Sequence, residues 1–204
     1  MRPIELLAVI LGVIYIVLAS RNKVSCWLFG IISSALWAYA AYTYYQFYAD
    51  AALMVFYVVA GVWGWVNWSR AGDQQKPISV YPLSVHILLV LIGGLVALLA
   101  GHYLNTYTNA LATYWDATGT VFSLIATYLL GKRKLENWIY WLPLNVLYFA
   151  LYYQRDGYYF TALQAVYVVM SVVGYYQWRT EYRQAKALND LTPAPLQRHL
   201  IDEL

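Results

Sequence analysis

Charged side chains are scarce in this 204-residue chain: Asp, Glu, Lys and Arg together make up 11% of it. A soluble domain carries about a quarter, so most of this chain must be solvated by lipid. Cysteine is nearly absent too. The single Cys26 excludes an internal disulfide and every multi-cysteine metal site, and it reads as a small apolar helix residue. Neither His86, near one end of an apolar run, nor His102, in an expected loop, has a metal-ligand partner at useful spacing. The scarcity is sharpest inside the apolar runs, where no Asp, Glu, Lys, Arg or His falls in the middle third. Intramembrane charges usually mark proton relays and ion sites, so coupling to a gradient lacks an obvious device. A membrane enzyme would need His, Asp or Ser clustered on one cavity, and the runs offer no such cluster. Neither catalysis, a cofactor, a metal nor a nucleic-acid partner is expected. A small-residue cleavage site after the first run is also missing, which speaks against a cleavable signal peptide.

What the chain has in quantity is apolar sequence, 62% of all residues. A membrane-spanning helix needs about 20 mostly apolar residues, and seven segments qualify: 4–20, 26–44, 50–68, 81–100, 111–130, 138–154 and 158–178. The expected fold is therefore an all-α integral membrane protein with seven transmembrane helices. Seven spans place alternate loops on opposite sides. One side receives Arg21, Lys23, Arg70, Lys76, Lys132, Arg133, Lys134 and the tail residues Arg179, Arg183, Lys186 and Arg198. The other side holds only Arg2 and Arg155. By the positive-inside rule the C-terminus is cytoplasmic and the N-terminus outside.

The seven runs are not independent. Glu5 to Trp68 lies over Asp116 to Trp178, about 111 residues on: Trp27 falls on Trp138, Tyr42 on Tyr153, and Gly64-Trp65-Val66-Asn67-Trp68 on Gly174-Tyr175-Tyr176-Gln177-Trp178 after a one-residue gap. The chain divides into a first three-helix unit (1–68), a linker with a central helix (69–110), a second three-helix unit (111–178) and a cytoplasmic tail (179–204), loose from Leu188 onward. The odd central helix makes both units insert in the same direction, a 3+1+3 parallel repeat of the kind described for the sugar facilitators called SWEETs. Duplicated membrane units place a substrate path between their halves, which makes transport the leading expectation.

Candidate site residues follow from helical spacing. In the sixth span Trp138, Trp141, Asn145, Tyr148 and Tyr152 recur at intervals of three and four, and so share one stripe. An amide in hydrocarbon must be hydrogen-bonded, so Asn145 faces protein, water or a ligand; gluing helices together is the alternative role. The matching stripe of the first unit is Trp27, Gly30, Ser34, Trp37 and Ala41, and the two copies no longer agree. In the seventh span Gln164 and Tyr167 lie deep. Pro143 interrupts the sixth. Glu5, Asp50 and Asp116 sit near outer helix ends, where a carboxylate can reach water. A neutral path walled by aromatics and a few amides suits a flat cationic ligand. It suits a phosphate poorly, with no buried Arg or Lys to receive one.

The run Glu136-Asn137-Trp138-Ile139-Tyr140-Trp141, then Asn145 and Tyr152, resembles the sixth-helix motif of the PnuC vitamin transporters. Phe160-Thr161-Ala162-Leu163-Gln164, Gly174 and Trp178 are similar to that family's last helix. The resemblance covers nearly the whole chain and is strongest from Glu136 to Trp178. It implies uptake of dephosphorylated nicotinamide riboside by facilitated diffusion, a homotrimer and a cytoplasmic kinase that traps the vitamin. It implies substrate contacts at Trp138, Trp141 and Asn145, to which helix geometry adds Trp37, Tyr148 and Gln164. A thiamine carrier of the same family, or a proton-coupled carrier using Asp116 or Glu5, is the competing expectation.

Overall fold

In hydrocarbon a lone segment can satisfy its backbone polar groups only as a helix, and the apolar runs fold accordingly. The computed structural model describes residues 2–46, 48–70, 77–107, 113–154 and 158–191. Its helices are α1 Pro3–Ser20, α2 Cys26–Ala40, α3 Tyr48–Ser69, α4 Leu83–Tyr107, α5 Thr113–Gly131, α6 Asn137–Gln154 and α7 Tyr158–Leu191. A π-helical turn, Ala41–Tyr45, continues α2 and ends at Gln46, whose φ of 55° is left-handed. Lys76, Arg155, Arg198 and the tail beyond Leu191 lie outside the described residues.

Among the described residues α1, Cys26–Tyr45, Asp50–Ser69 and α4 are long and apolar enough to cross a membrane. The other three have the length, but their many Thr, Tyr, Trp and Asn residues hold mean hydropathy down. Two expected boundaries move. α4 continues through His102, which is helical rather than in a loop, and α7 passes the expected end at Trp178 without a break. At 1.5 Å per residue α7 is about 51 Å long, well over the roughly 30 Å of hydrocarbon, so its Arg179–Leu191 end projects beyond the bilayer. There Glu181 accepts a 3.1 Å hydrogen bond from Asn22 in the loop after α1.

Neighbour relations close a ring. α1 packs on α2, α2 on α3, α3 on α5, α5 on α6, α6 on α7 and α7 back on α1, while α4 packs on α5 from outside. Two three-helix units thus meet along two seams, α1/α7 and α3/α5. The linker before α4 is pinned at the basic end: Ser79 exchanges backbone hydrogen bonds with Arg133 and Leu135, and Ile78 is buried. Glu136 accepts bonds from the Tyr81 backbone N–H at 2.6 Å and from His86 at 3.2 Å.

The duplication is written in individual hydrogen bonds. After α1, Asn22 N–H donates to Ala19 and Lys23 N–H to Leu18; after α5, Arg133 donates to Leu130 and Lys134 to Leu129. Cys26 to Lys23 and Trp27 to Val24 reappear as Asn137 to Lys134 and Trp138 to Leu135. Each pair is 111 residues apart. Asn22 and Arg133 both adopt left-handed φ, 54° and 52°, because the same helix-ending turn demands it.

Packing repeats too. Trp27 lies edge-on to Trp68 (5.4 Å, 88°) and Trp138 edge-on to Trp178 (5.7 Å, 87°). Gly64 makes room for Trp27 and Gly174 for Trp138; a Cβ on either glycine would stand 2.5–2.6 Å from the indole. Trp68 and Trp178 then meet across the units at 5.9 Å. Gly174→Ala should therefore lower stability by about 1–3 kcal/mol, the usual cost of overpacking, measurable by unfolding in a fixed detergent. Gly94, beside which a Cβ would meet nothing within 4 Å, is the control that should tolerate alanine.

Candidate functional site

The basic end of the ring is floored by tryptophan. Trp27, Trp68, Trp138 and Trp178 are all at most 2% exposed and join one core cluster. Trp68 Nε1 donates to the Gly131 carbonyl at 3.0 Å, and Trp178 Nε1 to Ala19 at 3.1 Å. Each bond runs from the third helix of one unit to the end of the other unit's first helix. Trp27 and Trp138 keep their indole N–H groups buried with no partner among the described residues.

Above this floor, tyrosines converge from four helices. Tyr57 of α3 hydrogen-bonds Ser123 of α5 at 2.6 Å. Its repeat counterpart Tyr167, on α7, brings its hydroxyl onto Gly12 of α1, where a Cβ would collide with it at 2.7 Å. Gly12 is itself the repeat counterpart of Ser123, so the two seams carry one tyrosine contact each. Tyr15 of α1 lies within electrostatic reach of Tyr57 and Tyr167. Tyr148 of α6 lies within reach of Tyr57, Tyr152, Asp116 and Asp50, with its hydroxyl against Gly119. Helical spacing singled out Tyr148 and Tyr167 but missed Tyr15 and Tyr57. The signal for Tyr57 was available, since it aligns with Tyr167 under the same one-gap register that matches Trp68 to Trp178.

The anticipated residues separate by depth. Trp138 belongs to the floor. Trp141, one turn further along α6, is half-buried, as are Tyr148 and Trp37. Asn145 is buried and donates from Nδ2 to Ser171 Oγ of α7 at 3.0 Å, so it does join helices. Gln164 lies two turns from Ser171 on the same face of α7, about 10 Å away along the axis. Its Oε1 is buried and has no hydrogen-bond partner among the described residues. An acceptor in that condition costs about 1–3 kcal/mol. Pro143 sits within α6 without ending it.

The mismatch between units has a packing meaning. In the first unit the Tyr15 ring rests on Gly30, where a Cβ would stand 2.9 Å from it. The counterparts in the second unit are Ala126 and Trp141. The large side chain has moved from the first helix to the second, and the aromatic lining is asymmetric as a result.

Two charged residues depart from the sequence reading. Glu5 does not reach water freely: it is 5% exposed, accepting bonds from the Tyr45 hydroxyl at 2.6 Å and the Arg2 backbone N–H at 3.0 Å. This ties the start of α1 to the π turn after α2. Arg133, expected on a basic surface loop, is 2% exposed, its guanidinium 4.4 Å from the centre of the Trp68 ring. Burial lowers its pKa, and burial likewise lowers that of Lys134 against the opposing pull of Glu136. The chain thus does contain a buried cation, but at the helix ends below the tryptophan floor rather than among the tyrosines. Asp50 is exposed and Asp116 half-buried.

Comparison with known proteins places this architecture. The family described as nicotinamide mononucleotide transporter matches residues 2–180. The nicotinamide riboside transporter PnuC of Escherichia coli (strain K12) is 25% identical over 198 residues, covering 83% of this chain and 81% of that one. PnuC of Neisseria mucosa is 28% identical over 185 residues, covering 84% and 70%. A crystal structure of the vitamin B3 transporter PnuC shares the fold, with a TM-score of 0.74 at 23% identity over 89% of this chain and 82% of the other. The chain is a multi-pass membrane protein belonging to the nicotinamide mononucleotide transporter family.

Proposed function

We propose that this protein carries nicotinamide riboside across the bacterial plasma membrane by facilitated diffusion. The observation that carries the reading is the buried, unpaired Oε1 of Gln164, an acceptor held ready for a carboxamide N–H or a ribose hydroxyl. The names of the PnuC relatives point to the same vitamin. Trp141, Tyr148 and Trp37 supply ring faces for the pyridinium cation, each good for about 0.5–2 kcal/mol. Asn145 fixes α6 against α7 and offers its amide to the ligand. Trp138, one turn below Trp141, forms the bottom of the site. The family's description names the phosphorylated mononucleotide, but the middle thirds of the spans contain no Lys or Arg to receive a phosphate. The riboside is the better fit.

Topology and trapping belong to the same proposal. Eleven of thirteen basic residues fall on one side of the expected spans, which sets that side and the C-terminus in the cytoplasm. A homotrimeric assembly and a cytoplasmic kinase that phosphorylates the arriving riboside complete the scheme. Purified protein in liposomes tests it. Labelled nicotinamide riboside should enter saturably, whereas the mononucleotide should bind at least about 100-fold more weakly, the cost of leaving a desolvated phosphate unpaired. Tighter binding of thiamine than of the riboside would transfer the assignment to thiamine.

Energy coupling is tested in the same vesicles. Uptake should be unchanged when an imposed pH gradient is collapsed, and Asp116→Asn should retain at least half of the wild-type rate. Gradient dependence that disappears in Asp116→Asn would instead establish a proton-coupled carrier.

A further inference from the structure

A lateral groove of about 500 Å³ opens at the α3/α5 seam, walled by Phe56, Val59, Trp63, Thr127 and Tyr128 and ending at Lys132. Phe56, Val59, Trp63 and Tyr128 are all exposed at its rim. It faces outward, away from the tyrosines inside the ring. From Phe56 to Trp63 it follows α3 for about 10 Å, one third of the roughly 30 Å hydrocarbon thickness. Trp63 and Tyr128 stack face to face at 5.7 Å, and the Lys132 ammonium lies 5.6 and 5.9 Å from their centres. Arg133 and Lys134 follow directly, and among the described residues no acidic side chain lines the groove.

We infer that this groove seats an acyl chain of an anionic phospholipid, with the headgroup phosphate on Lys132. The polarity of the groove runs as a lipid's does. Its apolar length points toward mid-membrane, and the cation among its described lining residues, Lys132, stands at the helix end, where headgroups lie. A zwitterionic lipid would bring a second positive charge to an already basic turn. A second copy of this chain would have to bury the Lys132 ammonium against an apolar helix face, which is costly. The inference does not depend on which vitamin is carried.

Native mass spectrometry on the purified protein tests this, using phosphatidylglycerol and phosphatidylcholine with identical acyl chains. Wild type should retain phosphatidylglycerol with about fivefold preference, the effect of one lysine near an anionic headgroup. Lys132→Gln should abolish the preference while leaving chain binding in place. Ala60→Phe, which fills the groove, should reduce retention of both lipids. Should that variant not fold, Val59→Phe on the exposed rim takes its place. Equal retention of the two lipids by wild type would overturn the inference, as would a preference that survives Lys132→Gln. Unchanged lipid retention with an altered oligomeric state in the filled variant would assign the groove to a second copy and overturn it too.

Discussion

Trp178→Ala should lower stability by about 3–5 kcal/mol, the range for emptying a buried tryptophan site. In a bilayer, helices gain nothing from hiding apolar surface, because lipid is as apolar as leucine; dense packing and interhelical hydrogen bonds hold them together instead. Trp178 supplies both. It is fully buried, touches Trp68 across the units and Trp138 within its own, and donates to Ala19 at 3.1 Å. Alanine would remove the ring and take from the Ala19 carbonyl one of its two donors, leaving only the Asn22 N–H. Phenylalanine keeps most of the volume but loses the N–H and part of the ring, so Trp178→Phe should cost about 1–3 kcal/mol, the lost bond and the small void together. Trp115, 59% exposed on α5, is the comparison, with Trp115→Ala within about 0.5 kcal/mol of wild type. Reversible unfolding of the four proteins in one detergent decides the matter. If Trp178→Ala unfolds like Trp115→Ala, the four indoles are neighbours without being the joint between the units.

That joint was half legible in the sequence. The interval of 111 residues gave the two units, and the structure repeats it bond by bond at Asn22 and Arg133. Spacing also set Trp138, Trp141, Asn145 and Tyr148 on one stripe. Spacing could not say how deep each residue sits, because depth depends on what the facing helix offers. Gly174 lets Trp138 sink out of reach of water, and a glycine 36 residues away leaves no mark on the α6 pattern. Glu5 misled for a similar reason: a carboxylate at a helix end is solvated unless something covers it, and Tyr45 does so from a π turn that periodicity does not reveal. The length of α7 was missed because hydropathy detects the membrane, not the helix. Once the chain leaves lipid, Arg, Glu, Gln, Lys and Ala continue the helix on propensity alone.

Symmetry and its loss divide the work between structure and recognition. The tryptophan floor and the Tyr57 and Tyr167 contacts are duplicated, so they serve both units alike and belong to the frame. Where the copies disagree, the frame does not need the residue. Tyr15 with Gly30 becomes Ala126 with Trp141, Ser34 becomes Asn145, and Met54 becomes Gln164. A substrate without two-fold symmetry gives the two copies a reason to differ. Of the three, the change at Gln164 alone introduces a buried polar atom without a partner among the described residues.

Gln164→Leu should therefore move binding and stability in opposite directions. Leucine has nearly the shape of glutamine and lacks the amide, so it removes an acceptor whose burial without a partner costs about 1–3 kcal/mol. The empty protein should unfold at the same temperature as wild type or slightly higher. Nicotinamide riboside should bind about 10–100-fold more weakly, since a hydrogen bond that only the ligand completes is then missing. Asn145→Leu makes the contrast. It breaks a bond that already exists to Ser171, so binding and stability should fall together. A residue that only glues helices cannot produce the Gln164 pattern, because its removal always loosens the fold. Loss of stability in Gln164→Leu with unchanged riboside affinity would place Gln164 in the frame and leave the site to Trp141, Tyr148 and Trp37.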